Sequence, residues 1–158
     1  MGKLFKFLAA IVGCELVGIA ATPFTISAIP TWYVTLNKPF FSPPNWIFGP
    51  VWTILYFLMG VSVYLIWTKA IKYKERKKTG LTFFTIQLGL NFLWSIVFFG
   101  LHSPILGLID IIALWIFILL TMIKFNKLSK IAFLLLIPYL LWVSFATILN
   151  LFIVLLNT

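Results

Sequence analysis

The chain has 158 residues, of which 63% are hydrophobic and only 9% carry a charge. Soluble domains average about 45–50% apolar and about 25% charged residues, so this composition excludes an ordinary soluble domain and indicates a membrane protein. The formal net charge of +9 does not indicate a nucleic-acid partner, because the cations are grouped in short polar segments between long apolar runs.

Five apolar runs are long enough to cross a membrane as helices, since a span needs about 20 predominantly apolar residues. The predicted spans cover residues 4–25, 46–68, 81–101, 105–123 and 131–156. The runs lack the alternation of outward and inward residues that a β-barrel strand requires. We therefore predict an all-α integral membrane protein, with a single domain over residues 1–158 that forms a five-helix transmembrane bundle.

The positions of the cations predict how the bundle is oriented. Eleven of the twelve Lys and Arg residues precede span 1 or lie between spans 2 and 3 or spans 4 and 5, three places on the same side of the membrane. The twelfth, Lys38, lies between spans 1 and 2. Because cytoplasmic segments are enriched in Lys and Arg, we predict a cytoplasmic N-terminus and a C-terminus outside. The cluster Lys69–Lys78 would also face anionic lipid headgroups.

The segment between spans 1 and 2 is unusually long and rigid. Residues 38–53, which run from this segment into span 2, contain four prolines and two tryptophans. Proline fixes φ and removes a backbone donor, so these residues favour an extended, ordered loop. Loops longer than about 12–15 residues in a compact protein are usually functional or disordered, and this aromatic composition is atypical of disorder. We predict an ordered first loop that covers one mouth of the bundle and contributes to a binding site.

Polar residues within the spans predict the inner surface of the bundle. In span 3, Gln87, Asn91 and Ser95 recur every four residues and therefore share one helix face. Polar groups are costly in hydrocarbon, so this face should point into the bundle. For Gln87, Ser95 and Asn150 of span 5, an interhelical hydrogen bond and a role in a pocket remain equally open.

Tryptophans on the same inward faces favour a ligand pocket over simple packing. Trp52, Asn91 and Trp142 come from three different spans, and an aromatic box with few polar groups is typical of a ligand site. Trp46, like Trp32, fits the aromatic belt at one membrane interface, and Trp67 fits the belt at the opposite interface.

Two acids fall within predicted spans. We expect Asp110, near the outer end of span 4, to accept a hydrogen bond from a neighbouring helix. Glu15, nearer the middle of span 1, is either a proton-coupling carboxylate or a protonated, hydrogen-bonded side chain. His102 is expected to be solvated, and with no partner ligand nearby it does not predict a haem site. The sequence holds no metal-ligand cluster and no nucleophile–base pair, so we predict no metal and no resident cofactor.

Three blocks of sequence together resemble the translocator protein family, also called tryptophan-rich sensory proteins (TspO/MBR). They are WYVTLNKPFFSPPNWIFGPVWTILYFLMG at residues 32–60, QLGLNFLWSIVFFG at residues 87–100, and PYLLWVSFATILN at residues 138–150. The resemblance covers nearly the whole chain. It implies a five-helix membrane homodimer that binds porphyrins such as protoporphyrin IX and, in some members, sterols or other hydrophobic ligands.

The resemblance also implies a pocket beneath the first loop. Its residues here would be Tyr33, Pro43, Trp52, Tyr56, Asn91, Trp94, Trp142 and Ala146. Some bacterial members are reported to degrade porphyrins under light, and the tryptophans involved would correspond to Trp52 and Trp142. The chain departs from the animal members in its tail, because residues 146–158 contain no tyrosine and no cation and so lack their cholesterol motif. Porphyrin is therefore the stronger expectation.

Three functions follow as alternatives. The first is a porphyrin-binding membrane receptor that acts as a tetrapyrrole or stress sensor or as a carrier in tetrapyrrole transport. The second is a light- and oxygen-dependent porphyrin-degrading enzyme. The third, suggested by Glu15, is a proton-coupled exporter. The small residues Ala10, Cys14 and Gly18 form a stripe on span 1 that could contact a second copy or another helix of the same chain.

Overall fold

The structure, a computed structural model, describes residues 2–158, with the side chain of Ile71 left out. Its helices are α1 (Lys3–Ala28), α2 (Phe48–Trp67), α3 (Lys74–Ser95), α4 (Pro104–Asn126), α5 (Lys130–Leu135) and α6 (Ile137–Asn157). Helices α5 and α6 together form the fifth span, Lys130–Asn157. All five spans are long and apolar enough to cross a membrane, which confirms the predicted all-α five-helix bundle.

Helix α3 begins seven residues earlier than the predicted span. The prediction placed the start at residue 81 because hydropathy marks only the lipid-embedded part of a helix, whereas the helix itself starts at Lys74. Lys, Glu and Arg are good helix formers and continue it into the polar region. The Lys77 ammonium donates to the carbonyl oxygens of Trp67 at 3.1 Å and Lys69 at 3.0 Å. These contacts neutralise the negative end of α2 and fix the start of α3 beside it.

Two irregularities interrupt the helices, one at the end of the bundle that carries the first loop and one toward the opposite end. A π-helical turn, Ile96–Gly100, follows α3 and buries Phe98 and Phe99. The fifth span is interrupted between α5 and α6, where Pro138 occupies the first turn of α6. Proline lacks a backbone N–H and cannot continue the hydrogen-bonding of a preceding helix, which explains the interruption.

Helices α1 and α2 pack closely over the N-terminal half of α1. A Cβ added at Gly60 would lie 2.6 Å from the Ile11 Cα, so only glycine allows this approach. A Cβ added at Gly18 would lie 2.5 Å from the Tyr56 ring. The small-residue stripe of α1, with Ala10 and Cys14 buried, therefore faces α2 of the same chain. Of the two roles left open by the sequence, the structure shows packing within the chain.

The first loop, residues 29–47, is held against the bundle by specific contacts. The backbone N–H of Asn37 donates to Asn157 Oδ1, and Asn157 Nδ2 donates to the Asn37 carbonyl oxygen, both at 2.9 Å. The Trp32 ring stacks on His102 with centroids 4.7 Å apart. His102 is exposed, as expected, but it supports the loop as well. The loop is thereby tied to the end of α6 and to the link between α3 and α4.

Candidate functional site

A cavity of about 420 Å³ lies beneath the first loop. Its walls come from the C-terminal half of α1, the N-terminal half of α2, α3 with its π turn, and α6. On the loop side, Tyr33 is 2% exposed and packs against Phe98 and Phe99 at ring-centroid distances of 6.3 and 5.8 Å. Burial raises the pKa of the Tyr33 hydroxyl above its usual value, so the group is neutral at physiological pH.

Seven of the eight residues carried over from the family resemblance line this cavity: Tyr33, Trp52, Tyr56, Asn91, Trp94, Trp142 and Ala146. Pro43 is not part of the wall. The prolines fix the path of the loop, and Asn45 and Trp46, in the turn that follows them, reach the cavity instead. The Trp46 side chain is 73% exposed at the protein surface, and it also forms part of the cavity mouth.

A buried polar network joins α2, α3 and α6 at the base of the cavity. The Tyr56 hydroxyl donates to Asn91 Oδ1 at 2.6 Å, and Asn91 Nδ2 donates to the Tyr139 hydroxyl at 2.7 Å. The Tyr139 hydroxyl in turn donates to Gln87 Oε1 at 2.7 Å. Gln87 therefore serves helix packing. Asn91 lines the cavity, but the oxygen and the nitrogen of its side-chain amide are both hydrogen-bonded to tyrosine hydroxyls. Its main effect at the cavity is therefore to position Tyr56.

We expect Asn91→Leu to lower the free energy of unfolding by about 1–3 kcal/mol. Leucine has a similar size but leaves the buried Tyr56 hydroxyl without its acceptor, whereas the Tyr139 hydroxyl keeps Gln87, and one unpaired buried polar group costs about 1–3 kcal/mol. Denaturation in detergent would measure the change. Asn45→Leu is the matched control, since Asn45 is exposed at the cavity mouth. Equal stabilities for the two variants would contradict a structural role for the network.

A second polar contact fixes the aromatic wall. The Trp94 indole N–H donates to Asn150 Oδ1 at 3.2 Å, and Asn150 Nδ2 donates to the Pro104 carbonyl oxygen at 2.8 Å. Trp94 also stacks on Phe98 with centroids 4.9 Å apart. Asn150 lines the cavity and at the same time links α3, α4 and α6, so both roles that the sequence left open apply to it.

Trp52 and Trp142 differ from the other internal tryptophans. Trp94 and Trp115 donate their indole N–H groups to Asn150 and Ser144. Within residues 2–158, by contrast, no hydrogen bond joins the indole N–H of Trp52 or Trp142 to the protein. Both rings are half-buried and line the cavity from α2 and α6. Their faces and N–H groups are therefore available to a ligand.

The cavity opens sideways between α1 and α2. Its exposed wall residues lie on these two helices and the turn before α2, with Ile19 at 63% and Ile26 at 65% exposed, whereas Asn91 on α3 is buried. In a membrane this side would face lipid tails. The α1 wall was missed by sequence reasoning, because small and aliphatic residues on a first span are indistinguishable from lipid-facing ones.

The two acids within the spans occupy different surroundings. Glu15 lines the cavity and is the one acid among its wall residues. Asp110 is buried outside the cavity, and its Oδ2 atom has no hydrogen-bond partner in the described part of the chain. The expectation that Asp110 accepts a hydrogen bond from a neighbouring helix is therefore wrong for this oxygen. Its neighbours on α4, such as Ile111 and Leu114, are buried aliphatic side chains without donors.

Comparison with known proteins identifies this architecture. The sequence profile of the TspO/MBR family matches residues 10–156. The chain belongs to the TspO/MBR family. It is 51% identical over 155 residues to the tryptophan-rich protein TspO of Archaeoglobus fulgidus, covering 98% of this chain and 99% of that protein. It is 38% identical over 119 residues to the human translocator protein, covering 75% of this chain and 70% of the human one.

TspO/MBR membership agrees with the resemblance found in the sequence. A second relative, the tryptophan-rich protein TspO of Chlorobaculum tepidum, is 48% identical over 158 residues, covering 99% of each chain. With five apolar helices, membership confirms an integral, multi-pass membrane protein of a family whose members are named as tryptophan-rich sensors and translocators.

Proposed function

We propose that this TspO/MBR protein binds porphyrin-type tetrapyrroles such as protoporphyrin IX in the cavity beneath the first loop and acts as their sensor or carrier. The observation that carries the proposal is the pair Trp52 and Trp142, which line one cavity with free indole groups. A flat apolar macrocycle stacks favourably on aromatic faces. The cavity volume of about 420 Å³ falls within the range of about 300–1,000 Å³ that is usual for ligand sites.

The remaining wall chemistry supports a flat, largely apolar ligand. The amides of Asn91 and Asn150 are engaged in interhelical hydrogen bonds, so the wall offers aromatic surface more than free polar groups. The sideways mouth between α1 and α2 would let a hydrophobic ligand enter from the lipid. Burying a carboxylate against the largely apolar wall would be costly, so the propionates of a bound porphyrin should lie at the mouth, near Asn45.

A second candidate function is light- and oxygen-dependent porphyrin degradation. The observation that favours it is the same exposure of the Trp52 and Trp142 indoles to the cavity. An indole in contact with a photoexcited macrocycle could donate an electron to it, O2 would add to the reduced macrocycle and open the ring, and an electron would return to the indole radical, so that O2 is the net oxidant and the indole is regenerated. Trp52 and Trp142 would then be catalytic residues rather than only stacking surfaces.

The double variant Trp52→Phe/Trp142→Phe separates the two functions. Phenylalanine keeps an aromatic face, so we expect dark binding of protoporphyrin IX to change by no more than about threefold, well under 1 kcal/mol. If the protein is an enzyme, the rate of porphyrin bleaching under light should fall at least tenfold. Absorbance of the bound porphyrin measures both quantities.

Trp115→Phe is the control, because Trp115 donates to Ser144 and lies outside the cavity. It should leave both binding and bleaching unchanged. A sensor or carrier predicts no bleaching beyond that of free porphyrin in any of the proteins. Rapid bleaching that persists in the double variant would contradict the tryptophan mechanism.

The proposal includes the assembly and orientation implied by the sequence. The protein would be a homodimer, as the family resemblance implies. Its N-terminus would lie in the cytoplasm, an orientation supported by the eleven Lys and Arg residues at the end of the bundle that holds the N-terminus of α1. Because the small-residue stripe of α1 is occupied by α2, the dimer contact would use another face. Sterol binding would be weaker than porphyrin binding, given the tail sequence.

A further inference from the structure

A second groove lies at the opposite end of the bundle from the first loop, between the end of α2 and the start of α3. It is open to the surroundings and has a volume of about 580 Å³. Its walls include Trp67, Lys74, Lys77, Lys78, Leu81 and Ile86. None of these residues lines the cavity beneath the first loop.

The groove changes from charged to apolar along one face of α3. Lys74, Lys78, Leu81 and Thr85 follow one another at spacings of three or four residues and therefore share one helix face, and Ile86 lines the groove beside Thr85. From Lys74 to Ile86 the helix rises about 18 Å at about 1.5 Å per residue. Of this length, only the part from Leu81 to Ile86, about 8 Å, lies within the predicted apolar span, which is about half of a leaflet with about 15 Å of hydrocarbon, and the rest extends toward the headgroups. The groove therefore has one end at the membrane surface and the other in the acyl-chain region.

The charged end of the groove carries an excess of positive charge. Lys77 is held by the carbonyl oxygens of Trp67 and Lys69, while Lys74 and Lys78 are exposed. The Lys6 ammonium adds a further cation, 5.8 Å from the centroid of the Trp67 ring. Of the three acids in the chain, Glu15 and Asp110 lie within the spans of α1 and α4, and Glu75, next to Lys74 on α3, is exposed and does not line the groove.

We propose that this groove binds one anionic phospholipid, with the headgroup phosphate at Lys74 and Lys78 and an acyl chain along Leu81, Thr85 and Ile86. Charge complementarity and the change from cationic to apolar lining fit a lipid that is negative at one end and hydrophobic at the other. A second copy of the chain fits less well, because like charges would meet across the contact. The inference is independent of porphyrin binding.

Native mass spectrometry of the detergent-purified full chain tests the proposal with phosphatidylglycerol and phosphatidylcholine as probes. One phosphatidylglycerol should bind more tightly than the others, and phosphatidylcholine should show no such site. Each cation near an anionic lipid contributes about 1 kcal/mol, so Lys74→Gln/Lys78→Gln should weaken that first binding step about 30-fold. Lys74→Arg/Lys78→Arg keeps the charge and should retain binding, which excludes a folding defect as the cause.

Lys127→Gln/Lys130→Gln removes the same charge from exposed positions on the same end of the bundle, one in the link after α4 and one at the start of α5, and should leave the first binding step intact. If both glutamine pairs weakened phosphatidylglycerol binding equally, the lipid would be attracted by the overall positive charge at this end of the bundle, and the proposal of a specific groove would be overturned. Competition by soluble glycerophosphoglycerol, the headgroup without acyl chains, would overturn it in favour of a simple anion site. A dimer that dissociates on Lys74→Gln/Lys78→Gln would assign the groove to a second copy.

Discussion

Replacing Ala146 with phenylalanine is expected to weaken porphyrin binding by about 5- to 150-fold. Ala146 lies on α6 one turn after Trp142 and lines the cavity, so a larger side chain there would project into the space that the macrocycle needs. Overfilling a packed site costs about 1–3 kcal/mol, which corresponds to this loss of affinity. Titration with protoporphyrin IX in the dark measures the effect.

Ala20→Phe provides the matched control for the cavity-filling variant. Ala20 is exposed on α1 and does not line the cavity, so the same change in size should leave the affinity within about twofold, a few tenths of a kcal/mol. The two variants should also unfold at similar temperatures in detergent. If Ala146→Phe bound porphyrin as tightly as the unchanged protein, the ligand would not occupy this cavity.

The second large effect is expected on stability, from Gly60→Ala. A methyl group at Gly60 would lie 2.6 Å from the Ile11 Cα and 3.1 Å from the Ala10 carbonyl oxygen. Because these contacts are with backbone atoms, relief requires α1 to move away from α2, and we expect the free energy of unfolding to fall by about 1–3 kcal/mol. Movement of α1 would also widen the cavity mouth, so porphyrin affinity should fall with stability.

Gly89→Ala serves as the control, since a Cβ added there has nothing within 4 Å. Gly89 lies within α3, where alanine is a better helix former than glycine by about 0.5–1 kcal/mol. Thermal unfolding in detergent should therefore show an unchanged or higher midpoint for Gly89→Ala and a lower one for Gly60→Ala. An equal response of the two variants would mean that the close approach of α1 and α2 does not stabilise the bundle.

The five spans could be predicted from the sequence because each is a long apolar run with few charges. The residues at which the helices begin and end could not be predicted in this way. Helix α3 starts at Lys74 because Lys77 donates to carbonyl groups at the end of α2, a contact between residues eight and ten positions apart that hydropathy does not report. The interruption near Pro138 was signalled by the proline itself, but the prediction treated the fifth span as one helix.

The inner faces of the candidate site were predictable where polar residues recur at helical spacing. The spacing of Gln87 and Asn91 predicted which face of α3 points into the bundle. Their hydrogen bonds to Tyr139 explain why these polar side chains are tolerated there. The α1 side was not predictable, since Ile19 and Thr22 carry no such signal. In the first loop, Pro43 was expected to line the cavity, whereas Asn45 and Trp46 do so. The fold of the turn after the prolines decides which loop side chains reach the cavity, and the sequence alone does not specify that turn.

A dark titration of the detergent-purified protein with protoporphyrin IX, followed by tryptophan fluorescence, tests porphyrin recognition most directly. Binding in the cavity predicts quenching that saturates at one ligand per chain, with micromolar or tighter affinity, as expected when the macrocycle lies against Trp52 and Trp142. Quenching that increases without saturation, in proportion to the porphyrin dissolved in detergent, would contradict a porphyrin site.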